Sequence, residues 1–276
     1  MSVGTRHVEL NALYGFAERQ LHVVKRYWVW EVVWLFYSLV SVLSIGFLAS
    51  GLGTLGGGSF DLHKAQLYLL IGALLWGYLS LVFMEAAYAI AWERWEGTIE
   101  YTFMAPIKRI THLFGICLFA IAYGLARTFV VLLIAIAMFN LDFSHADIPA
   151  ALAVLAASTI PLIGLAIFTS VLPLLSPQKG EQMSVAVQGF LLLVSGVYYP
   201  LTVLPLPMQL AGAASPLTYA LQGIRDSLLE GKSLQAEVPN IAILLVMGAV
   251  MIPASLWVFS WAENRAKRLG LLKRSG

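Results

Sequence analysis

The chain has 276 residues, of which 59% are hydrophobic and 12% are charged, and its formal net charge is +2. A soluble domain of this length is normally about one quarter charged. The composition therefore excludes an ordinary soluble enzyme and indicates an integral membrane protein. The single cysteine, Cys117, excludes an intrachain disulfide framework and lies in an apolar run, where we expect a buried thiol.

Residues 5–27 have the pattern of an amphipathic helix that lies in the membrane interface rather than spanning the bilayer. The apolar residues of one helical face are Leu10, Leu13, Ala17, Leu21, Val24 and Trp28. The charged and polar residues that lie mostly off that face are Glu18, Arg19, His22, Lys25 and Arg26. A disordered polar tail is the alternative interpretation of this segment.

Six apolar segments reach or approach the ~20 residues that a membrane-spanning helix needs. They cover residues 30–50, 66–91, 113–139, 148–175, 183–203 and 240–261. We therefore predict an all-α integral membrane protein with six transmembrane helices and one domain over residues 1–276. Within it, the interface helix covers 5–27, the six-helix membrane domain covers 30–261, and a cytoplasmic tail covers 262–276.

The placement of Lys and Arg predicts how these helices are oriented, because cytoplasmic segments carry an excess of positive residues. With a cytoplasmic N-terminus, the inside segments carry Arg6, Arg19, Lys25, Arg26, Arg94, Lys108, Arg109, Lys179, Arg265, Lys267, Arg268, Lys273 and Arg274. The outside segments carry only Lys64, Arg225 and Lys232. Both termini and the segment 93–109 are therefore predicted to be cytoplasmic.

The segment from Glu93 to Arg109 is predicted to be a short amphipathic helix beside the bilayer. At helical spacing, one face carries Glu93, Glu96 and Glu100. Another face carries Trp92, Trp95, Ile99 and Phe103. Pro106 lacks a backbone donor and should stop the helix near Ala105. The segment is either a solvated loop or a docking helix for a soluble partner.

Residues 204–238 are too polar and too often interrupted by proline to span the membrane. Leu217, Ala220, Leu221 and Ile224 have helical spacing, and Ser215 or Pro216 supplies a start signal. Such a segment can dip into the outer leaflet and return, and it is a candidate outer gate. We assign that gate to Tyr198, Tyr199, Pro200, Pro216, Tyr219 and Arg225. An ordinary outside loop with a surface helix is the alternative.

Two motifs resemble the signatures of the type-2 ABC-transporter permeases. One is Glu-Arg-x-x-Gly-Thr-Ile-Glu at 93–100 with Ala-Pro-Ile at 105–107. The other is Gly-Val-Tyr-Tyr-Pro at 196–200 with Ser-Pro-Leu-Thr-Tyr-Ala-Leu-Gln-Gly-Ile-Arg at 215–225. The resemblance implies re-entrant helices before the last span, and two permease and two ATPase subunits per transporter. It also implies ATPase coupling by Glu93, Glu96, Gly97, Thr98, Glu100 and Pro106.

The resemblance implies an exporter in a prokaryotic plasma membrane, driven by a separate ATPase. The sequence contains no G-x-x-x-x-G-K-[ST] loop, so we expect a partner ATPase to bind ATP and Mg²⁺ and expect no cofactor or metal in this chain. The expected partners are that ATPase, a second identical or paralogous permease and membrane lipids, with no nucleic acid. A lipophilic drug or lipid-like substrate is favoured, and a lipid-linked polysaccharide is the alternative.

Charged residues within the spans are functional candidates by default: Glu31, Glu85 and Arg127. Glu85 and Arg127 should lie roughly 10 Å and roughly 21 Å from the cytoplasmic side, which argues against a direct ion pair between them. We expect Arg127 to snorkel outward or to cap carbonyls in the broken outer region.

Two other classes of function are weaker alternatives. An ion-coupled secondary transporter would need more charge at the midplane than one deep arginine. An intramembrane enzyme would need a catalytic motif, and H-E-x-x-H and G-x-S-x-G are both absent from the sequence. The histidines are assigned to polar loops or the N-terminal arm, away from ligand clusters: His7, His22, His63, His112 and His145.

Overall fold

The computed structural model describes residues 3–55 and 62–272, and within these ranges the regular structure is helical, with no strand. The helices are α1 (Val3–Arg26), α2 (Trp28–Leu55), α3 (Leu62–Glu96), α4 (Ile99–Met104), α5 (Arg109–Phe139), α6 (Ile148–Leu175), α7 (Gly180–Val194), α8 (Leu206–Ala213), α9 (Pro216–Leu229) and α10 (Leu234–Arg268). A short 3-10 turn, Leu201–Val203, lies between α7 and α8. The all-α prediction is therefore confirmed for the described residues, and the N-terminal arm is a helix.

Five of the described helices are long and apolar enough to cross a membrane: α2, α3, α5, α6 and α10. Each contains one of the predicted spans, and together they make the chain a multi-pass membrane protein. The predicted span over 183–203 is wrong in its second half, because α7 has 15 residues and ends at Val194. At ~1.5 Å per residue, α7 is about 22 Å long, against about 30 Å for the hydrocarbon core.

The end of α7 has a local cause in the backbone. The Ser195 amide still donates to the Leu191 carbonyl, but Gly196 adopts a φ of 72° and turns the chain out of the helix. Glycine tolerates this left-handed conformation because it has no Cβ. Pro200 then fixes an extended backbone before the 3-10 turn.

The last helix is longer than its predicted span in both directions. α10 begins at Leu234 and continues to Arg268, so much of the predicted cytoplasmic tail is helical. Residues 273–276 of that tail lie outside the described part of the chain.

The central helix of the bundle is α3, which packs against α2, α5, α6, α7 and α9. Tyr78, Leu79 and Val82 of α3 are fully buried in a cluster with residues of α6, α9 and α10. α10 packs along α6, and α1 packs along α5. Cys117 of α5 is buried, as predicted.

The bundle has two ends, which are identified by hydrogen bonds of α3. Near the C-terminus of α3, Arg94 donates to the Leu174 carbonyl at the end of α6, at 3.0 Å. Near its N-terminus, the Tyr68 carbonyl accepts from Arg225 of α9, at 3.2 Å. We call these the Glu93 end and the Arg225 end. Because α7 follows α6 and precedes the turn that contacts Arg225, it runs from the first end to the second.

The contact between α6 and α10 depends on glycine. A Cβ on Gly164 would lie 2.9 Å from the Met251 Cβ, 3.0 Å from the Met251 carbonyl carbon and 3.1 Å from the Ile252 amide nitrogen. Small residues permit this approach of helix backbones within a membrane. Since the obstacle includes backbone, a larger residue cannot be accommodated by rotating one side chain.

We expect Gly164→Ala to lower the free energy of unfolding by about 1–3 kcal/mol, the usual cost of overpacking. Gly189→Ala is the matched control, because a Cβ there meets nothing within 4 Å. That control should leave stability unchanged or raise it by up to about 1 kcal/mol through helix propensity. Thermal unfolding of the purified proteins in detergent measures both, and equal midpoints for the two variants would contradict the prediction.

Candidate functional site

The motif segment at the Glu93 end contains a break in the helix. α3 ends at Glu96, Gly97 has a φ of 77°, and α4 begins at Ile99. The Thr98 amide donates to the Glu93 carbonyl at 2.8 Å across this turn. The predicted single amphipathic helix is therefore wrong, because the left-handed glycine divides it in two. The predicted stop is confirmed, since α4 ends at Met104, two residues before Pro106.

The break separates the three glutamates that were predicted to form one acidic stripe. Glu93 is only 2% exposed, Glu96 is half-buried, and Glu100 is exposed. Only Glu100 and part of Glu96 therefore face outward. The predicted stripe is wrong because the first glutamate points into the protein.

Glu93 joins three helices through its carboxylate. Its Oε1 accepts from Arg19 Nη1 of α1 at 2.6 Å and from His112 Nε2 of α5 at 2.9 Å. Arg19 Nη2 also donates to the Thr98 hydroxyl at 3.2 Å. The ring of Phe16 packs against His112 with centroids 4.6 Å apart. We call Arg19, Glu93, Thr98 and His112 the Glu93 cluster.

The burial of His112 corrects the assignment of this residue to a polar loop. It lies in the first turn of α5, and its side chain is enclosed completely. A histidine in this position is a structural partner of Glu93. Among the residues that the structure describes, there is no group of three or more side chains able to hold a metal ion.

Two arginines connect the rest of this end. Arg94 is buried and donates to the Leu174 carbonyl in the last turn of α6 and to the Leu271 carbonyl just after α10. Arg109 Nε donates to Glu263 Oε1 of α10 at 3.0 Å. The same guanidinium donates to the Thr102 carbonyl at 2.8 Å and also to the Phe103 carbonyl, both in α4. The ends of α3, α4, α5, α6 and α10 are thereby fixed to one another.

One face of α4 remains free of these contacts. The helix buries Ile99 and Phe103 against the bundle. It exposes Glu100, Tyr101 and Met104, and Tyr101 and Met104 are 78% and 83% exposed. We call these three outward residues the α4 surface. Its side chains are an acid, an aromatic ring and a thioether, held on a helix that is anchored from behind.

The remaining predicted coupling residues lie around this surface. Gly97 forms the turn, and Thr98 donates to the Glu93 carbonyl through its hydroxyl at 3.3 Å. Pro106 is exposed just after α4. The structure thus brings the predicted coupling residues together. Some of them hold the motif to the helix bundle, and others face outward.

At the other end of the bundle, Arg225 is an anchor. It is 7% exposed, and its Nη1 donates to the Gly196 carbonyl at 2.9 Å. Its Nη2 donates to the carbonyls of Tyr68 and Val197, and its guanidinium carbon lies 3.6 Å from the Tyr68 ring centroid. Arg225 therefore holds α9, the start of α3 and the turn after α7 together.

The other residues predicted for the outer gate lie in the turn after α7 and in the first turn of α9. Tyr199 donates to the Leu193 carbonyl at 2.6 Å, and Tyr219 donates to the Ala213 carbonyl at 2.9 Å. Tyr198 is half-buried against the core, and Pro200 is exposed. Pro216 is the first residue of α9, which confirms the predicted helix start.

A cavity of ≈ 420 Å³ lies at the Arg225 end. Its lining includes Lys64, Tyr68, Gln222, Arg225, Asp226 and Glu230. Burial lowers the pKa of the Arg225 guanidinium to about 10, so this group stays charged at neutral pH.

The acids of this lining share a lysine that lies beside them. Lys232 Nζ lies 2.7 Å from Asp226 Oδ2 and 3.2 Å from Glu230 Oε2. The hydrogen bonds to these two carboxylates raise the pKa of Lys232. One protonated amine is therefore shared by the two carboxylates and offsets one of their two negative charges.

The sequence profile of the ABC-2 type transporter family matches residues 12–229 of the chain. This match covers most of the chain and includes both motifs. The chain belongs to the ABC-2 type transporter family. It is the membrane-embedded permease component, which has no ATPase site of its own, and permeases of this family normally pair with an ABC ATPase. No individual curated protein matches the chain.

Two of the three charged residues predicted within the permease's spans have hydrogen-bond partners among the described residues, namely Glu31 and Arg127. Tyr123 donates to the Glu31 carboxylate, and Arg127 donates to the Trp34 carbonyl. Arg127 thus caps a carbonyl of α2, so the expectation that it would snorkel outward or cap carbonyls of the broken outer region is wrong. Glu85 is half-buried, and within the described ranges no ion pair joins it to Arg127.

Sequence reasoning did not identify the supporting residues of the permease's Glu93 end as site residues. They are Arg19, Arg94, Arg109, His112 and Glu263. Their partners are distant along the chain, so no local spacing connects them. Arg94 alone carries a signal, because it stands inside the first motif.

Proposed function

We propose that this permease is the membrane subunit of an ATP-driven exporter and that its ATPase subunit docks on the α4 surface. The single observation that carries the proposal is an anchored helix with an outward apolar and acidic face. Aromatic residues and Met are enriched in protein interfaces, and Tyr101 and Met104 are almost fully exposed. A soluble partner would cover them.

The contacts that anchor α4 would let it transmit a movement of the docked ATPase to the membrane-spanning helices. Arg109 binds the last turn of α4 to Glu263 of α10, and Phe103 inserts into the bundle. The Glu93 cluster binds the preceding turn to α1 and α5. A displacement of the docked ATPase would therefore move the ends of several spans together, since these contacts leave α4 little independent freedom.

The distribution of charge supports a cytoplasmic position for the Glu93 end. Most of the Lys and Arg residues outside the spans belong to this end by sequence, and the positive-inside tendency places such segments in the cytoplasm. α1 and the C-terminal part of α10 both contact this end, through Arg19 and Glu263. This supports cytoplasmic N- and C-termini, and the membrane that we propose is a prokaryotic plasma membrane.

The Arg225 end would then face outward. We propose that α7, although short, is the sixth crossing, because it runs from one end of the bundle to the other. The turn after it, with α8 and α9, would be the re-entrant outer gate. Irregular backbone at membrane depth must be satisfied by protein, and Arg225 supplies donors to two carbonyls of that turn.

The working transporter would contain two permease subunits, identical or paralogous, and two ATPase subunits that bind ATP and Mg²⁺. An amphipathic or lipophilic substrate, drug or lipid-like, suits the apolar helices. A lipid-linked polysaccharide is the second candidate, favoured by an interfacial position for α1. Ion coupling is less well supported, because Glu31 and Arg127 are each occupied by a neighbouring group.

The test is co-purification of the ATPase with a tagged permease that carries Tyr101→Ala and Met104→Ala. We expect recovery of the ATPase to fall at least about tenfold, since two central apolar contacts are each worth more than ~1 kcal/mol. Leu206→Ala with Leu210→Ala is the matched control, because both leucines are exposed on a short helix at the opposite end. Unchanged ATPase recovery with the α4 variant would contradict docking on this surface.

A further inference from the structure

One face of α3 is open within the membrane-spanning part of the bundle. Between residues 82 and 90, every side chain of α3 is buried except those of Glu85 and Tyr88, and Tyr88 is 40% exposed. Their spacing places both on one face of the helix. Glu85 lies about 16 Å from the end of α3 at Glu96, at ~1.5 Å per residue. A cleft between α2, α3 and α5 includes Leu81, one turn away from Glu85.

The carboxyl group of Glu85 has no bonded partner at this opening. Glu85 takes part in none of the hydrogen bonds and ion pairs of the described residues. A carboxylate at membrane depth that faces lipid without a partner is costly. The half-buried side chain of Glu85 therefore requires water or a cation in front of it.

Two charged side chains act on Glu85 from the neighbouring helices, Glu31 of α2 and Arg127 of α5. The Glu31 carboxylate accepts from the Tyr123 hydroxyl, and the Arg127 guanidinium donates to the Trp34 carbonyl. Within the described ranges, Arg127 forms no ion pair with either acid. Since two carboxyl groups face one arginine, the groove between α2, α3 and α5 favours positive charge.

Aromatic rings lie on both sides of this groove. Tyr88 follows Glu85 on the open face of α3, which continues to the half-buried Trp92. On α5, the ring of Tyr123 stacks on that of Phe119, with centroids 5.6 Å apart and an interplanar angle of 6°. Aromatic faces attract cations, most strongly where water is excluded. Carboxyl groups among aromatic rings fit a cation that has an apolar body.

We propose that the groove at Glu85 binds a lipophilic organic cation. This rests on the proposed function, which makes the bound cation the class of substrate that the permease exports. Glu85 would face the positive group, Glu31 would add to the negative field, and the rings of Tyr88 and Tyr123 would contact the apolar body. An approaching cation favours the ionised form of a carboxyl group, so the bound cation would keep Glu85 charged.

The test compares two probes that have the same shape and opposite charge, tetraphenylphosphonium and tetraphenylborate. Binding of each radiolabelled probe to the purified full-length permease in a nonionic detergent is measured by scintillation proximity. We expect the wild type to bind tetraphenylphosphonium at least about tenfold more tightly than tetraphenylborate, because the groove attracts one charge and repels the other.

Glu85→Gln removes the charge, keeps the size of the side chain and breaks no hydrogen bond of the described residues. It should weaken tetraphenylphosphonium binding at least about fivefold, without weakening tetraphenylborate binding. Glu85→Asp should recover part of the loss, because it restores the charge. Tyr88→Leu, at an exposed side chain, should weaken phosphonium binding about threefold through loss of the ring. Size-exclusion profiles check the folding of each variant.

Glu18→Gln is the matched control, because Glu18 is exposed on α1 and is not among the charged groups that act on Glu85. Equal phosphonium binding by the wild type, Glu85→Gln and Glu18→Gln would overturn the proposal, as would equal affinities of the wild type for the two probes. ATPase recovery on the same preparations tests the proposed function separately. If the ATPase were not recovered while phosphonium binding depended on Glu85, docking would fail and the cation site would stand.

Discussion

Replacing Glu93 with alanine is expected to lower the free energy of unfolding by about 3 kcal/mol. Breaking a buried ion pair by removing one partner usually costs about 3–5 kcal/mol, because the other charge is left without compensation. The lower end of that range applies to Glu93→Ala, because the Arg19 side chain is 32% exposed and can recover some solvation once its partner is removed. His112, which is fully buried, loses its hydrogen-bond acceptor in the same variant.

Two further substitutions identify the cause of that loss. Glu93→Gln keeps a hydrogen-bonding group but removes the charge, so it should be less harmful than alanine. Glu96→Ala is the matched control on the same helical turn, because Glu96 is half-buried and 3.8 Å from Arg19. A partly exposed pair of that kind is worth about 0–1 kcal/mol.

Thermal unfolding in detergent measures all three variants. The midpoints should rank the control highest, glutamine next and alanine lowest. If Glu93→Ala unfolded at the same temperature as Glu96→Ala, the Glu93 cluster would not be holding α1 and α5 to the motif.

The position of Glu93 changes how the first motif is interpreted. One of its glutamates holds the motif to the bundle, while the α4 surface faces outward. Loss of Glu93 should therefore reduce both stability and ATPase recovery. Loss of Tyr101 and Met104 should reduce ATPase recovery alone, since both side chains are exposed. Comparing the two kinds of variant distinguishes a residue that holds the motif to the bundle from residues that contact the ATPase.

The sequence predicts those features of the fold that depend on local composition. Apolar length locates the five helices that are long enough to span a membrane. Pro106 predicts the end of α4, because a proline lacks the amide that a helix needs. The spacing of Leu217, Ala220, Leu221 and Ile224 predicts α9, in which all four are buried.

Features that depend on distant partners were not predictable in the same way. The break at Gly97 is different, because its φ of 77° and the hydrogen bond from the Thr98 amide to the Glu93 carbonyl form a local glycine helix end that the sequence could have indicated. A period of 3.6 residues carried through that position assigns Glu93 to the wrong face. Nothing near His112 indicates that its acceptor lies on the preceding span.

The contacts of Arg225 also involve partners that are distant along the chain. Its replacement is the second change for which we expect a large effect. Sequence reasoning assigned it to the outer gate because it lies in the polar, proline-interrupted segment 204–238. The structure shows it bonded to carbonyls of α3 and of the turn after α7, both far from it along the chain. We therefore expect the loss of Arg225 to lower the stability of the fold.

Replacing Arg225 with methionine is expected to lower the free energy of unfolding by about 3 kcal/mol. Each hydrogen bond from a charged donor contributes about 1.5–3 kcal/mol, and the three bonds of Arg225 are partly offset by relief of the buried charge. The Gly196 and Val197 carbonyls lie in a turn, so they would be left without this donor. A methionine retains part of the packing on Tyr68, which isolates the polar contribution.

Arg225→Lys should recover only part of that loss, since a single ammonium cannot reproduce the planar fork that reaches Gly196, Val197 and Tyr68 together. Lys232→Met is the matched control, because it removes a positive charge whose ion pairs with Asp226 and Glu230 are partly exposed. Its effect should stay below about 1 kcal/mol. Unfolding midpoints of the three variants give the comparison. If Arg225→Met and Lys232→Met had equal midpoints, the turn after α7 would be held by its own backbone and not by the Arg225 anchor.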